Sequence, residues 1–346
     1  MDASSLPDFK VLSYPTKWCG IDSDRRPSPS DEITLNATSS WTYCGPLLPL
    51  DPKSLPSSFD TWAQATVNGP LLGPLFSFLE FVHEFLKAND ISHYWLTIRA
   101  SQGSDEFDIP RWHTDDLFFS PLATAAAPAT TTPALRHSFL WPFADAAKRH
   151  RRASSLSHTR RSSQSVHTRS PQPTPPQLPP SVQISSSTTN PPNWKLTTTL
   201  LGPGTLFISL PLNPHARNLQ STTKLTVRTA NPGHICLSIR CVGCATAAEE
   251  VRATLAAQLG GHRDGAGVVQ AARGECVFFR VGEDEGAVHS EPMSRGERVF
   301  VNVVPGFEKD LRCLMAKWGM EFPRAWCVGL PFQGVEGGCW RNVGEI

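Results

Sequence analysis

A mostly β domain with flanking helices is what this 346-residue sequence predicts, and three observations carry the prediction. Several short segments rich in β-branched and aromatic residues alternate with Gly/Pro turns, among them Leu196–Leu201, Cys276–Val281 and Arg298–Val304. Only three stretches keep a helical rhythm, and they lie between or beyond the strand-like segments. Hydrophobic residues make up 40 % of the chain, with 18 Phe and 10 Trp, enough for a substantial core.

Residues 1–60 are rich in Pro, Ser and Asp and read as an irregular arm with short strands, packed through Trp18, Trp41 and Tyr43. Pro74 suits a first helical turn, and Leu75, Phe78, Leu79, Val82 and Leu86 then share one face up to Asn89–Asp90. His83 on this helix reads as a structural or surface histidine. His93–Arg99 alternates as a strand, with Tyr94, Leu96 and Ile98 on one side. A further strand is expected from Pro110, closed by Phe118 and Phe119. Beyond the next break, Trp194–Leu201 and Thr205–Leu210 read as strands around a Gly202–Pro203–Gly204 turn, and Leu225–Arg228 as a short strand. Ala245–Leu259 reads as a helix stopped at Gly260–Gly261. Cys276–Val281, Ala287–His289 and Arg298–Val304 read as strands, and Lys309–Trp318 as a terminal helix before a Trp- and Gly-rich tail.

The break itself is compositional. Residues 121–192 are Ala/Thr/Pro-rich, then Arg/Ser/His-rich, then Pro-rich, and cannot bury enough apolar surface to offset the entropy of ordering. They are expected to be a disordered insertion, which divides the β domain into 61–120 and 193–346. Within 136–169, eight Lys/Arg face one acid, Asp145, a local charge of +7; with +1 for the whole chain, the remainder carries 1 − 7 = −6. The run Lys148–Ser155 could serve nuclear import or a basophilic kinase, or be a solvated insertion without a role. Nothing global argues for nucleic acid, which is expected to bind only through this insertion if at all, and no apolar run of membrane-spanning length is present. The N-terminus lacks the pattern of a secretory signal, so an intracellular protein, cytoplasmic or nuclear, is expected. Nine Cys without framework spacing fit reduced thiols; Cys241 and Cys244, with Cys236 nearby, could form half a zinc site but find no second pair.

The chemistry concentrates in Arg111-Trp112-His113-Thr114-Asp115-Asp116. On a strand, His113 and Asp115 point to the same face, as two of the ligands of a 2-His-1-carboxylate site for non-haem iron would. Asp116 could replace Asp115 only through a register shift. Short strands with ligands early and polar residues late suggest a double-stranded β-helix, a jelly-roll architecture related to the cupins. The third ligand must then come from far along the chain. His215, His234 and His262 lie in loops or beside a helix, whereas His289 opens a strand after a Gly-rich turn and is the best candidate.

The blocks Gly274–Phe279, His289–Pro292 and Gly296–Val303 resemble the C-terminal half of Fe(II)/2-oxoglutarate-dependent oxygenases. With His113-Thr114-Asp115 and Thr199–Thr205, they are similar to an uncharacterised bacterial and fungal group within that superfamily, over about 93–120 and 194–305. The resemblance implies Fe(II) on His113, Asp115 and His289, and 2-oxoglutarate whose far carboxylate pairs with Arg298, nine residues after His289. Phe300 departs from the usual Arg-x-Ser pattern, and Arg295 is the fallback. The implied activity is a dioxygenase that hydroxylates or demethylates a small-molecule or protein substrate. The alternative is a non-catalytic jelly-roll protein that binds a metal or ligand or acts as a scaffold. The aromatics Trp112, Phe118 and Phe119 read as core.

Overall fold

In the computed structural model, the described residues are 1–15, 32–103, 109–119, 191–230, 242–259, 267–293 and 296–330. They all belong to one unit, Met1–Leu140 with Pro191–Ile346; of the expected insertion, residues 121–190 lie outside them. The strands are β1 (Phe9–Ser13), β2 (Thr34–Leu35), β3 (Ser39–Pro46), β4 (Val67–Asn68), β5 (His93–Ser101) and β6 (Trp194–Leu201). Then follow β7 (Leu206–Ile208), β8 (Val268–Gln270), β9 (Glu275–Arg280), β10 (His289–Ser290), β11 (Arg298–Gly306) and β12 (Arg324–Val328). The helices are α1 (Ser57–Thr66), α2 (Leu72–Lys87), α3 (Asn213–Ala230), α4 (Val242–Leu259) and α5 (Glu308–Lys317).

The architecture is mostly antiparallel sheet with helices. Seven strands form a large sheet in the order β1-β9-β6-β11-β5-β3-β12, and β10-β7-β8 form a small one. The stretch 1–60 is more than a loose arm: β1 is an edge strand of the large sheet and the eight-residue β3 an inner one. Strand alternation gives the large sheet two different faces. One face carries Leu96, Ile98, Ala100, Val299, Val301 and Val303, all fully buried. Helices α1 and α2 cover that face through residues such as Phe59, Trp62, Phe78 and Leu86. Trp62 is fully buried, and its indole N–H donates to Ser39 Oγ at 2.8 Å. Burial of aromatic and aliphatic area on this scale is the main source of stability for the sheet.

The other face is mixed. At the β1–β9 end, Phe9, Val277 and Phe279 pack against Phe207 of the small sheet. At the β12 end, Cys44 and Trp95 pack against Leu311 and Met315 of α5. Between these clusters the face is polar, with Thr97, Arg99, Phe300 and Asn302 only partly buried.

Three expectations need correction. Leu225–Arg228 is not a strand but the last turns of α3, where Leu225 is exposed and Val227 buried. The strand expected from Pro110 is reduced to a single antiparallel bridge between His113 and His289. The tail after α5 contains β12, paired with β3 from Arg324↔Cys44 to Val328↔Ser40. Among the described residues Cys44, Cys276, Cys313 and Cys327 are free thiols. Trp18, His234, His262, Cys236, Cys241 and Arg295 lie outside the described residues. No helix among the described residues is long and apolar enough to cross a membrane.

Candidate metal centre

His113 and His289 face each other across the isolated bridge. Each backbone N–H donates to the other residue's carbonyl at 2.9 Å, which fixes the two segments in register. The imidazole centroids are 4.4 Å apart. Phe207 stacks on the His289 ring at 5.6 Å and Phe279 lies 4.9 Å from it, so this imidazole is held by aromatic packing. Asp115 comes in beside both rings: Oδ1 lies 3.7 Å from His113 Nε2, and Oδ2 lies 3.6 Å from His289 Nε2. One donor atom from each of the three residues falls within 4.8 Å of the others, and the group could hold a metal ion.

The donor chemistry fits that use. Nδ1 of His113 lies 2.7 Å from the Arg111 carbonyl, and Nδ1 of His289 lies 2.9 Å from the Ala287 carbonyl. A carbonyl can only accept, so in both rings Nδ1 carries the proton and Nε2 presents its lone pair toward Asp115. This is the carbonyl-oriented imidazole typical of metal-ligating histidines. Burial, then the neighbouring His289, holds His113 well below the ordinary histidine range, at about 3, so the ring is neutral at physiological pH. Burial opposes the charge on Asp115, but Lys195 and the two histidines outweigh it and keep the carboxyl below its ordinary range. Donors about 2.1 Å from a shared ion at roughly 90–110° lie about 3.0–3.4 Å apart, so small side-chain rotations would bring the three together.

Lys195 is the residue the sequence reading missed here. Its Nζ is 2.6 Å from Asp115 Oδ2 and sits 4.5 Å from the Phe118 ring centroid. It leaves Oδ1 as the less encumbered oxygen, which favours a monodentate carboxylate. Sequence alone gave no sign of this pair, because 80 residues separate its members.

A second missed feature is the face of α3 that grips both halves of the site. Gln220 accepts from the Thr114 N–H at 2.9 Å and donates to its hydroxyl at 2.8 Å, so it holds the residue between His113 and Asp115. Asn213 accepts from the Val288 N–H at 2.8 Å, one residue before His289. Both side chains are buried. Arg217, between them on the same stripe, donates to Asp8 Oδ2 and to the Gly286 carbonyl. Positions 213, 217 and 220 fall on one helical face. Pro214, in the first turn of α3, was the available signal for this helix.

Arg298 is buried on the polar face of the large sheet. Its Nε donates to the Pro203 carbonyl at 3.0 Å and one Nη to Thr205 Oγ1 at 3.1 Å, while its guanidinium carbon lies 4.5 Å from the Phe300 ring centroid. The Gly202–Thr205 turn that contributed to the family resemblance is therefore the turn that anchors this arginine. Burial pushes Arg298 down to about 10, with Glu291 acting the other way, so it stays charged at neutral pH. Asp116 is not part of the triad, His215 lies on α3, and Cys244 on α4. Trp112 is core, as read from the sequence, and Phe118 and Phe119 are partly buried against separate clusters.

No protein-family model, no curated protein and no solved structure matches this chain. Of what the family resemblance implies, the structure supports the His–Asp–His group and a mostly antiparallel sheet.

Proposed function

We propose that this protein is an Fe(II)/2-oxoglutarate-dependent dioxygenase built on a double-stranded β-helix. The observation that carries the reading is the convergence of His113, Asp115 and His289 from segments 174 residues apart in sequence. In support of that fold, Phe207 of the small sheet that carries His289 packs against Phe9, Val277 and Phe279 of the large sheet that carries Lys195 and Arg298, and such a barrel needs two packed sheets. His113, Asp115 and His289 would hold the iron, and Arg298 would take the far carboxylate of 2-oxoglutarate as a fork-shaped, permanently charged partner. The bound iron would supply redox chemistry that side chains lack.

The residues of the chain would do the rest. The Arg111 and Ala287 carbonyls keep Nε2 of each histidine deprotonated, and Lys195 steadies the carboxylate of Asp115. Phe207 and Phe279 keep one side of the His289 ring dry. The overall reaction would place one oxygen atom of O2 in succinate and the other in the substrate, releasing CO2.

Anaerobic Fe(II) titration and succinate release with 2-oxoglutarate test the reading together. Wild type should bind one Fe(II), His113→Ala should lose it, and Arg298→Ala should keep the metal while losing succinate release. Metal content unchanged in His113→Ala would place the site elsewhere. Metal binding without any succinate from wild type would favour the second reading, a metal- or ligand-binding protein without catalysis. The close Lys195–Asp115 pair favours the ligand-binding form of that second reading, since a carboxylate already held by a lysine is a weaker metal ligand.

A further inference from the structure

β5 and β11 are central strands of a seven-stranded sheet, and among the described residues one face of their middle stretch is packed while the other, at Thr97, Arg99, Phe300 and Asn302, is only partly covered. On β5 buried and partly buried residues alternate over all nine positions. Phe300 and Asn302 are the partly buried residues of β11, and they stand opposite Arg99 and Thr97. The register extends this polar row across four strands, Thr197–Asn302–Thr97–Thr42, beginning two residues from Lys195 and so from the carboxylate of Asp115. The Asn302 carboxamide makes no hydrogen bond to the described residues, although it lies mid-strand in the interior of the sheet. A sheet interior is ordinarily closed by apolar packing on both faces or left to bulk solvent on one. Here the middle of the row, Asn302 and Thr97, is partly exposed, between Thr197 on the triad side and Thr42 on the far side, which are buried.

Charge adds a preference. Around the triad and this strip, Arg111 and Arg252 both pair with Glu249 and Lys195 pairs with Asp115, while Arg99 and Arg298 stand on the strip itself. Glu291 is the carboxylate nearest the strip. It pairs with Arg99 at 3.0 Å while its side chain stays 46 % exposed, and Arg298 and Arg111 act on it as well. It is thus a solvent-reachable carboxylate already seated on a guanidinium, two residues past His289.

We propose that the partly exposed polar face of β5 and β11 binds the substrate of this centre, a small organic acid with hydrogen-bonding groups. Its carboxylate takes the place of Glu291 on Arg99, and its amide or hydroxyl groups lie on Asn302 and Thr97. Glu291 acts as an internal competitor that swings to solvent when the acid arrives. Oxidation of that molecule rests on the metal reading above, but its binding does not.

The test uses the full chain, stripped of metal by chelator and desalted, titrated calorimetrically at low ionic strength. The probes are N-acetylserine, which carries carboxylate, amide and hydroxyl, and N-acetylserinamide, which lacks only the carboxylate. The acid should bind at least about tenfold more tightly than the amide, as a charge-assisted guanidinium pair implies. Arg99→Gln should bring the two within about twofold, and Asn302→Leu should weaken both. Glu291→Gln should tighten the acid by about three- to tenfold, a gain that a merely damaged fold would not produce. Equal affinity of acid and amide for wild type, or no gain in Glu291→Gln, overturns the proposal. Acid binding by a protein that never takes up Fe(II) would sink the oxygenase reading and leave this one standing. Fe(II) uptake and succinate release with no preference for the acid would do the reverse.

Discussion

His83 should make this protein acid-sensitive in a way that one substitution removes. The side chain lies on the buried face of α2 with its ring 5.9 Å from that of Tyr94, and Nε2 has no hydrogen-bond partner among the described residues. Burial first, and Lys87 one turn along second, lower its pKa from 6.5 to about 4. In the unfolded chain the imidazole recovers its ordinary value. Between the two values the unfolded state therefore binds more protons than the folded state, and stability falls as pH falls. The penalty is small above 6.5, grows through the window and levels off below 4. Linkage for one group with these two values gives almost nothing at pH 7 and about 2 kcal/mol at pH 5. Replacing the imidazole by an apolar side chain, His83→Leu, removes the proton and with it this contribution. The assay is urea unfolding of metal-stripped wild type and variant at both pH values. Every other titrating group is common to the two proteins, so the difference of differences isolates His83. Wild type should lose about 2 kcal/mol more than the variant on going from pH 7 to pH 5. Parallel losses, equal within about 0.5 kcal/mol, would show that His83 is protonated or hydrated in the folded state and would refute the reasoning.

Three further outcomes follow from the packing. Gln220→Leu leaves the Thr114 N–H and hydroxyl without their buried partners, at a cost of about 2–4 kcal/mol, and should weaken Zn(II) or Fe(II) binding by about tenfold; a variant with unchanged metal affinity would show that α3 does not set the triad. Gly202→Ala should lower stability by about 1–3 kcal/mol, read as a fall in the thermal midpoint, because φ is +79° and an added Cβ would run into the Glu297 carbonyl beside Arg298. Trp62→Ala should cost about 3–5 kcal/mol, while Trp62→Phe, which keeps most of the ring and loses only the donor to Ser39, should cost less than half of that in the same denaturant series.

What the sequence could tell about this molecule follows the range over which its physics acts. Where structure is decided within a turn or a strand, the pattern was readable. α2 shows its apolar face at Leu75, Phe78, Leu79, Val82 and Leu86, and β11 shows its β-branched run, and both stand close to where those patterns put them. α3 was hidden because its Ser and Thr residues dilute the apolar stripe. Leu225-Thr226-Val227-Arg228 then imitates a strand, and only tertiary burial of Ala216, Gln220, Thr223 and Val227 decides the matter. The triad was legible for a different reason. Its members are chemically rare, and a His-x-Asp pair with a later strand-start His offers few alternatives. Lys195, Gln220, Asn213 and Glu291 offer no such cue, since a lysine on a Thr-rich strand or a glutamine on a polar helix is commonplace. Their roles come from contacts across 75–192 residues of chain, which only the folded sheets create. That division bears on the site itself. The atoms that could ligate a metal are written in the sequence, whereas the residues that aim them, neutralise them and choose what lies beside them are written only in the fold. Substitutions in this second group should therefore alter affinity and selectivity while the His–Asp–His motif stays intact.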